Sequence, residues 1–564
     1  MKLVFYILLY LNIYALSQND LVAQQLYLET TTEKPQFKTL TDSLQENSAF
    51  QDYNSLKEEA DTIKSKLLRK GYLAATLRSL SATNDSTYLA TYSLGKKSDV
   101  IKVYYSPEQF TERQLRTVSS DVTESYFILR IETAEQSLQK LNTLLTDTGD
   151  AFARLRLKNI QRVANEIHAD VSIETTSKRT IDSIVIKGYE KFPRSFLKNY
   201  AGIKKNKPFS RSKLLKQNTI LDNLGFAKST KAPEILFREE STTAYFYLEK
   251  LNNNLFDGIL GFATDETSQR LQLNGYINLE LNNNLNYGEQ LIINYKADGN
   301  EQQNFRAKAT MPYVLQSPFG LGLELKIFKR DSTFVTTEQL IQATYQVNPI
   351  STIRTGYKSY ESSNLLDLAI VGSPIEDYDS KFFLVGGTVT LPQNSSLFPV
   401  KSFLDIDTEI GERESKGLQE DQIRVFARAS HIFNLNPTNS LYVQNATGAL
   451  FSDSFFTNEL FRFGGINSIR GFNENSIDAS LYSVLNSEYR YILNPGLYIH
   501  SIIDLGYFEN EVMDQKEKLY SFGLGLGLQT RGGLLKFNIA NGNSENQDFR
   551  FSNTKIHLSL SSRF

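Results

Sequence analysis

Two hydrophobic periods divide this chain of 564 residues. Between residues 50 and 250 apolar positions recur at helical spacing, interrupted by short strands. Leu56, Ala60, Ile63 and Leu67 mark one helix face, Ser55 and Glu58 stand ahead of it at capping-box spacing, and Gly71 closes it before Tyr72. The pattern returns at Leu141, Leu144 and Leu145 with Gly149 and Phe152. It returns again at Leu214, Leu215, Ile220, Leu221 and Leu224 with Gly225 and Phe226. The glycines lie 78 and 76 residues apart, which predicts a repeat. The third copy reads most completely: a strand at 181–188, helices over 192–203 and 210–224 with Pro193 in a tolerated first-turn position, and a hairpin from 235–237 and 243–250. Its order is β-α-α-β-β. The expected units are 51–98 (partial, without an opening strand), 99–179 and 180–251, behind a flexible Thr-, Gln-, Glu- and Ser-rich lead at 18–50.

After Asn254 the period becomes two. Leu271, Leu273, Gly275, Ile277, Leu279 and Leu281 alternate with polar residues, as do Leu321, Leu323, Leu325 and Ile327. Phe383, Val385, Gly387, Val389 and Leu391 repeat this, and so do Tyr520, Phe522, Leu524, Leu526 and Leu528. Strands of this kind, joined by polar turns, predict an antiparallel transmembrane β-barrel over 252–564 with about sixteen strands. In the last strand Ile556, Leu558, Leu560, Ser562 and Phe564 share a face.

The N-terminus sets the compartment. Lys2 precedes a short apolar run from Leu3 to Leu11, and small residues follow at Ala15 and Ser17, so residues 1–17 read as a secretory signal peptide. The run is shorter than the roughly 20 apolar residues a spanning helix needs. Composition then removes most chemistry. Charges nearly cancel, 61 Lys+Arg against 63 Asp+Glu, which argues against nucleic acid as a partner. There is no cysteine, and the four histidines are scattered, so no metal centre, cofactor or catalytic residue is expected. No Gly-Lys-Ser/Thr phosphate loop and no Gly-x-Ser-x-Gly elbow occurs. Asp405, Asp407 and Glu409 form a carboxylate row, which a water-filled barrel wall explains more simply than a metal site.

The repeat order, ahead of a β-rich half, resembles the POTRA domain, a periplasmic docking module. The terminal Phe564 on an alternating strand, with Leu560, Leu558 and Ile556, resembles the insertion signal of bacterial outer-membrane proteins. Between the strands near 440–450 and 481–492 lies Leu460-Phe-Arg-Phe-Gly464-Gly465-Ile-Asn-Ser-Ile-Arg470-Gly471-Phe472. It resembles the Gly-Gly…Val-Arg-Gly-Phe/Tyr loop of the BamA/TamA-type superfamily of outer-membrane assembly and translocation barrels, with Ile469 in place of Val. By strand count it falls in the sixth extracellular loop, between strands eleven and twelve, as in that family. An Arg on a loop folded into a barrel must meet acids on the wall, since a buried unpaired cation is too costly. Glu488 and Asp504 have inward parity, and Asp504-Leu-Gly506 resembles the family's strand motif, with Ile502 departing from its first position. The resemblance implies that Arg470 locks onto Asp504 with Glu488 close by, while Gly464, Gly465 and Gly471 let the loop pack. It implies a non-enzymatic outer-membrane assembly factor. Its POTRA units receive unfolded barrel clients, with periplasmic or lipoprotein partners, and its barrel inserts those clients into the bilayer. A two-partner-type secretion translocator is the alternative, and a passive porin would leave the repeats and the loop unexplained.

Overall fold

The structure, a computed structural model, describes residues 25–163, 166–264, 271–298, 302–366, 374–530, 533–546 and 550–561. The expected signal peptide and Phe564 lie outside the described residues, as does the side chain of Leu560. The chain forms two compact units. One runs to Thr180 and includes Pro208–Ser212; the other holds Ile181–Lys207 and everything from Lys213 onward.

The first compact unit contains two α+β repeats. In the first, strand Leu26–Thr32 pairs parallel with Thr87–Ser93, which pairs antiparallel with Thr76–Ala82. The helix Tyr53–Arg69 covers this sheet, and Leu56, Ala60, Ile63 and Leu67 are fully buried against Leu28, Phe50 and Tyr92. Each of the leucine and isoleucine side chains contributes about 1.5–3 kcal/mol through removal from water. Two expectations are corrected here. The segment 18–50 is not a flexible lead throughout: from Leu26 it supplies the opening strand, the helix Lys38–Leu44 and a short strand, Ala49–Phe50, so the first repeat has its opening strand. Its polarity misled because two of its threonines point inward and satisfy each other. Thr30 Oγ1 donates to Thr41 Oγ1 at 2.9 Å and to Asp42 at 2.7 Å, with both threonines almost fully buried. The cap also moves: Asp52, not Ser55, begins the helix, accepting from the Ser55 amide at 2.8 Å. Those Ser55 hydrogen bonds hold the Asp52 carboxyl below the usual carboxylate range.

The second repeat is built alike. Val100–Tyr104 pairs parallel with Glu166–Glu174, which carries Arg154–Val163 at its other side, and the helix Ile131–Thr146 packs through Leu141 over Val103, Phe127 and Leu129. Both repeats contain a strand the sequence pattern did not show: Ala49–Phe50 and Tyr126–Arg130 each lie antiparallel to the opening strand and cover its edge. The third repeat lacks this extra strand, and its sheet is Ala227–Phe237, Thr242–Lys250 and Ser183–Gly188 in that spatial order. Its helices, Arg194–Asn199 and Arg211–Leu221, bury Phe196, Leu197, Leu214 and Leu221.

The rest of the second compact unit is a sixteen-stranded antiparallel barrel sheet running from Leu255–Thr264 to Thr554–Ser561. Each strand pairs with its sequence neighbours, so hairpin order alone fixes the topology. Burial is inverted relative to a soluble protein. Phe383, Ile410, Ile503, Leu505, Leu524, Ile556 and Leu558 face out, while Lys358, Glu409, Arg424, Asn486, Glu488, Arg490 and Asp504 are buried within. Such an apolar exterior requires lipid, and the antiparallel ladders between successive strands give the spanning backbone groups their partners there. No helix among the described residues is long and apolar enough to cross a membrane.

The third repeat meets the barrel at two turns. Tyr189 donates to Asn286 at 2.6 Å and accepts from Asn283 at 2.8 Å. Phe196 sets its ring edge-on to Tyr313, with centroids 4.7 Å apart, and Asn199 donates to the Ser317 carbonyl at 3.1 Å.

The repeat glycines differ in a way that can be measured. Gly71 has φ +98°, and a Cβ there would lie 2.1 Å from the Ser98 carbonyl oxygen, whereas Gly225 is not left-handed and a Cβ would meet only the side-chain amide of Asn253. Gly71→Ala is expected to destabilise the first repeat by about 1–3 kcal/mol, and Gly225→Ala the third by less. Hydrogen exchange of the helix Tyr53–Arg69 and of Arg211–Leu221 in the full chain checks this; equal losses would contradict it.

Candidate functional site: a loop anchored inside the barrel

Residues 452–480 join the eleventh barrel strand, Asn439–Phe451, to the twelfth, Leu481–Asn494. The segment folds inward as a short hairpin, Phe461–Phe463 against Ile477–Ala479, that carries the Arg470 tip. Gly464 and Gly465 turn the chain with φ of +115° and +92°. Gly471 has φ +85°, and a Cβ there would lie 2.4 Å from the backbone nitrogen of Gly542, so the tip sits against the wall only because this residue is glycine.

Arg470 is 4% exposed and Asp504 fully buried. The guanidinium grips Asp504 through two nitrogens, Nε at 2.8 Å and Nη2 at 2.5 Å, and the Arg470 backbone amide adds a third bond at 3.0 Å. Its remaining nitrogen, Nη1, bonds Glu488. Glu488 in turn accepts from Arg490 Nε at 2.8 Å, and Arg490 lies under the rings of Phe398 and Tyr442. Two cations thus face two carboxylates, and the cluster is neutral as a whole. The bidentate fork is the strong form of this interaction, and it fixes orientation as well as charge.

Neighbouring packing completes the tip. Ile469 is fully buried among Phe463, Tyr482, Val484, Phe508 and Leu519. Gly506 leaves room for it, since a Cβ there would lie 3.1 Å from the Ile469 methyl. Phe472 lies on Gly542. The Gly471 amide donates to His557 Nε2 at 3.1 Å, so the tip also touches the last strand. The structure therefore brings Arg470, Asp504, Glu488, Gly471, Phe472 and Gly506 together. Gly464 and Gly465 shape the base of the tip, while Ile556 and Leu558 lie apart from it on the outer face.

A second anchor escaped the sequence reading. Glu459, at the loop's other limb, is 3% exposed and accepts from Arg413 at 2.5 Å and Gln422 at 3.0 Å. Asn458, fully buried, donates to Ser362 and to the Glu376 carbonyl. Arg330 holds Asp478 through two bonds of 2.6 and 2.9 Å. Arg413, Gln422 and Arg424 stand on barrel strands, but their partner lies in a stretch with no period to place it. The carboxylate row is likewise accounted for by cations: Asp405 and Asp407 hold Arg354, and Glu409 holds Lys358. These pairs line a lumen cavity of about 700 Å³ beside the loop.

Comparison with known proteins agrees with this architecture. Residues 402–564 match the Omp85 superfamily domain, and residues 179–248 match the POTRA model, described as a surface antigen variable number repeat. No curated protein matches the chain in sequence. Among solved structures, CdiB from Acinetobacter baumannii is similar at 12% identity and a TM-score of 0.51, over 83% of this chain and 91% of its own. CdiB from Escherichia coli is similar at 14% identity and a TM-score of 0.50, over 95% and 100%. BamA from Haemophilus ducreyi lacking POTRA domains 1-3 aligns at 15% identity and a TM-score of 0.48, over 76% and 93%. Fold and matches together define an outer-membrane β-barrel protein with POTRA units in the periplasm. Residues 402–564 therefore carry an Omp85 superfamily domain, and a general role in inserting or translocating polypeptide at the outer membrane goes with it.

Removing the Arg470 side chain leaves Asp504 and Glu488 buried with too little positive charge. Arg470→Ala is expected to weaken loop anchoring by about 3–5 kcal/mol, and Arg470→Lys by less, because the charge stays while the fork is lost. Protease cleavage within 452–480 on whole cells, compared among wild type and the two variants, reads this out. Cleavage unchanged in Arg470→Ala would show that the cluster does not hold the loop.

Proposed function

We propose that this protein is an assembly factor that receives unfolded β-barrel clients through its periplasmic POTRA units and promotes their insertion into the outer membrane. The observation that carries the reading is the seam. The first strand, Leu255–Thr264, and the last, Thr554–Ser561, approach within 8 Å between Cα atoms, yet no hydrogen-bonded ladder joins them among the described residues. Two edges held close but unpaired offer backbone donors and acceptors to an incoming client strand, which reads main chain rather than sequence. The anchored loop supports the same reading in two ways. It folds into the lumen and narrows it, which opposes passage straight through, and its tip bonds the last strand through His557, next to the seam.

In this mechanism the POTRA sheets hold the client extended, and the seam templates its first hairpin. The Arg470–Asp504–Glu488 cluster keeps the loop positioned so that the last strand stays presented. The role is mechanical: Arg470, Asp504, Glu488, Gly471 and Phe472 position, and none acts on a covalent bond.

Depletion of the protein followed by quantitative outer-membrane proteomics tests the reading. Many unrelated barrels should fall together. Loss of one surface or secreted protein, with all other barrels level, would replace it with a dedicated translocator. A second test exploits the absence of cysteine. A disulfide engineered between 255–264 and 554–561 should stop client insertion until it is reduced; full activity with the seam locked would remove the seam from the mechanism.

A further inference from the structure

We infer that the helical half of the third POTRA unit is a lipid-binding surface, which holds the anionic headgroups of the periplasmic leaflet beside the barrel rim. Charge distribution is the first observation. Residues 26–177, covering the first two repeats, hold nineteen Lys or Arg against twenty-one Asp or Glu. Residues 187–216, the helical half of the third, hold ten Lys or Arg and a single acid, Glu190. Lys191, Arg194, Lys198, Lys204 and Lys205 are all solvent-exposed, and none makes an ion pair among the described residues. Isolated surface cations on one segment are not needed for the fold; each repels its neighbours and is tolerated because water and counterions surround it.

Position is the second observation. The helix Arg194–Asn199 touches the barrel, through Phe196 on Tyr313 and Asn199 on the Ser317 carbonyl. Arg194 and Lys198 stand four residues apart on that helix, so they share a face. The turns it meets lie at the end of the barrel where the chain enters from the POTRA units, which is the periplasmic membrane surface.

Those turns supply a third observation. Leu315 is 95% exposed and holds a left-handed backbone (φ +53°), and Leu285 and Tyr287 are 66% and 62% exposed. Three large apolar side chains displayed on turns, rather than on strands, suit the boundary between headgroups and acyl chains, where aromatic and aliphatic anchors gather. Apolar anchors flanked by five unpaired cations are the two components of binding to an anionic lipid surface. An acidic protein would satisfy the cations but would leave the apolar turn residues, which border the bilayer, unexplained.

The surface would hold the third repeat at the rim and so fix where a client arrives relative to the seam. The test uses the full chain with Ser195→Cys, a unique thiol because the native chain has no cysteine. It carries an environment-sensitive fluorophore, and the protein is reconstituted in vesicles of phosphatidylcholine alone or with about 30% phosphatidylglycerol. Quenching by headgroup spin-labelled lipid should be about threefold stronger with phosphatidylglycerol and should fall toward the neutral-lipid value at high salt. A variant with Lys191, Arg194, Lys198, Lys204 and Lys205 all changed to Gln should lose the difference while its barrel keeps heat-modifiable mobility on gels. Equal quenching in both vesicles for the native surface would overturn the inference. So would shielding that appears only on adding periplasmic extract, which would assign the surface to an acidic protein instead.

Discussion

A charge carried into a poorly solvated interior must meet its opposite, and the architecture of this protein turns on that requirement. Arg470 sits on a loop that leaves the outer end of the barrel and folds back inside it. Alone there, its guanidinium would cost several kcal/mol, more than a hairpin of three-residue strands can supply. Asp504 and Glu488 remove the cost, and Arg490 keeps Glu488 from being an unbalanced acid. The loop is therefore held by a neutral cluster whose members come from three places in the chain. The same logic governs the two limbs below the tip, where Glu459 on the first meets Arg413 and Asp478 on the second meets Arg330. Fastened at both limbs, the loop becomes part of the lumen wall.

The barrel makes this arrangement possible because its two faces obey opposite rules. Outward positions carry Phe383, Ile410 and Leu524 into lipid, where apolar surface has no penalty. Inward positions carry charge, and cross-strand neighbours of opposite sign stabilise one another: Glu324 with Arg306, Lys326 with Glu338, Lys358 with Glu338. Such a wall is stiff and polar, a suitable bed for a polar loop. The seam is the place where this regularity ends. Among the described residues the backbone groups there lack the ladder that the other strand pairs have, and the loop tip reaches that neighbourhood through the Gly471–His557 bond.

Much of this was legible in sequence, for physical reasons specific to each part. Alternation revealed the barrel because lipid and lumen impose opposite polarity on successive residues, and parity placed Glu488 and Asp504 inside. Arg470 was matched to them through the resemblance of its loop to the family's loop, with the cost of a buried unpaired cation as the physical reason that some acid must meet it. The opening strand Leu26–Thr32 was hidden, since its inward Thr30 and Thr32 look like solvent-facing residues until the bond from Thr30 to Thr41 is seen. The helix start shifted from Ser55 to Asp52 because either residue offers an oxygen at the required spacing. Glu459 stayed hidden because its partners are 46 and 37 residues away and no periodicity links them. Local patterns report local environments, whereas an ion pair across a lumen depends on how the barrel closes.

The central claim is that the loop is a fixed part of the resting barrel, held by the Arg470 cluster. Spin labels introduced as cysteines at Asn467, on the exposed side of the tip, and at Asp514, in the turn between the thirteenth and fourteenth strands, measure this directly by electron–electron dipolar spectroscopy in native outer membranes. The account predicts one narrow distance distribution for the otherwise wild-type chain, broadened when Asp504→Ala removes the fork's acceptor. A broad or two-peaked distribution in the wild-type background would contradict it, because the loop would then leave its place with the cluster intact.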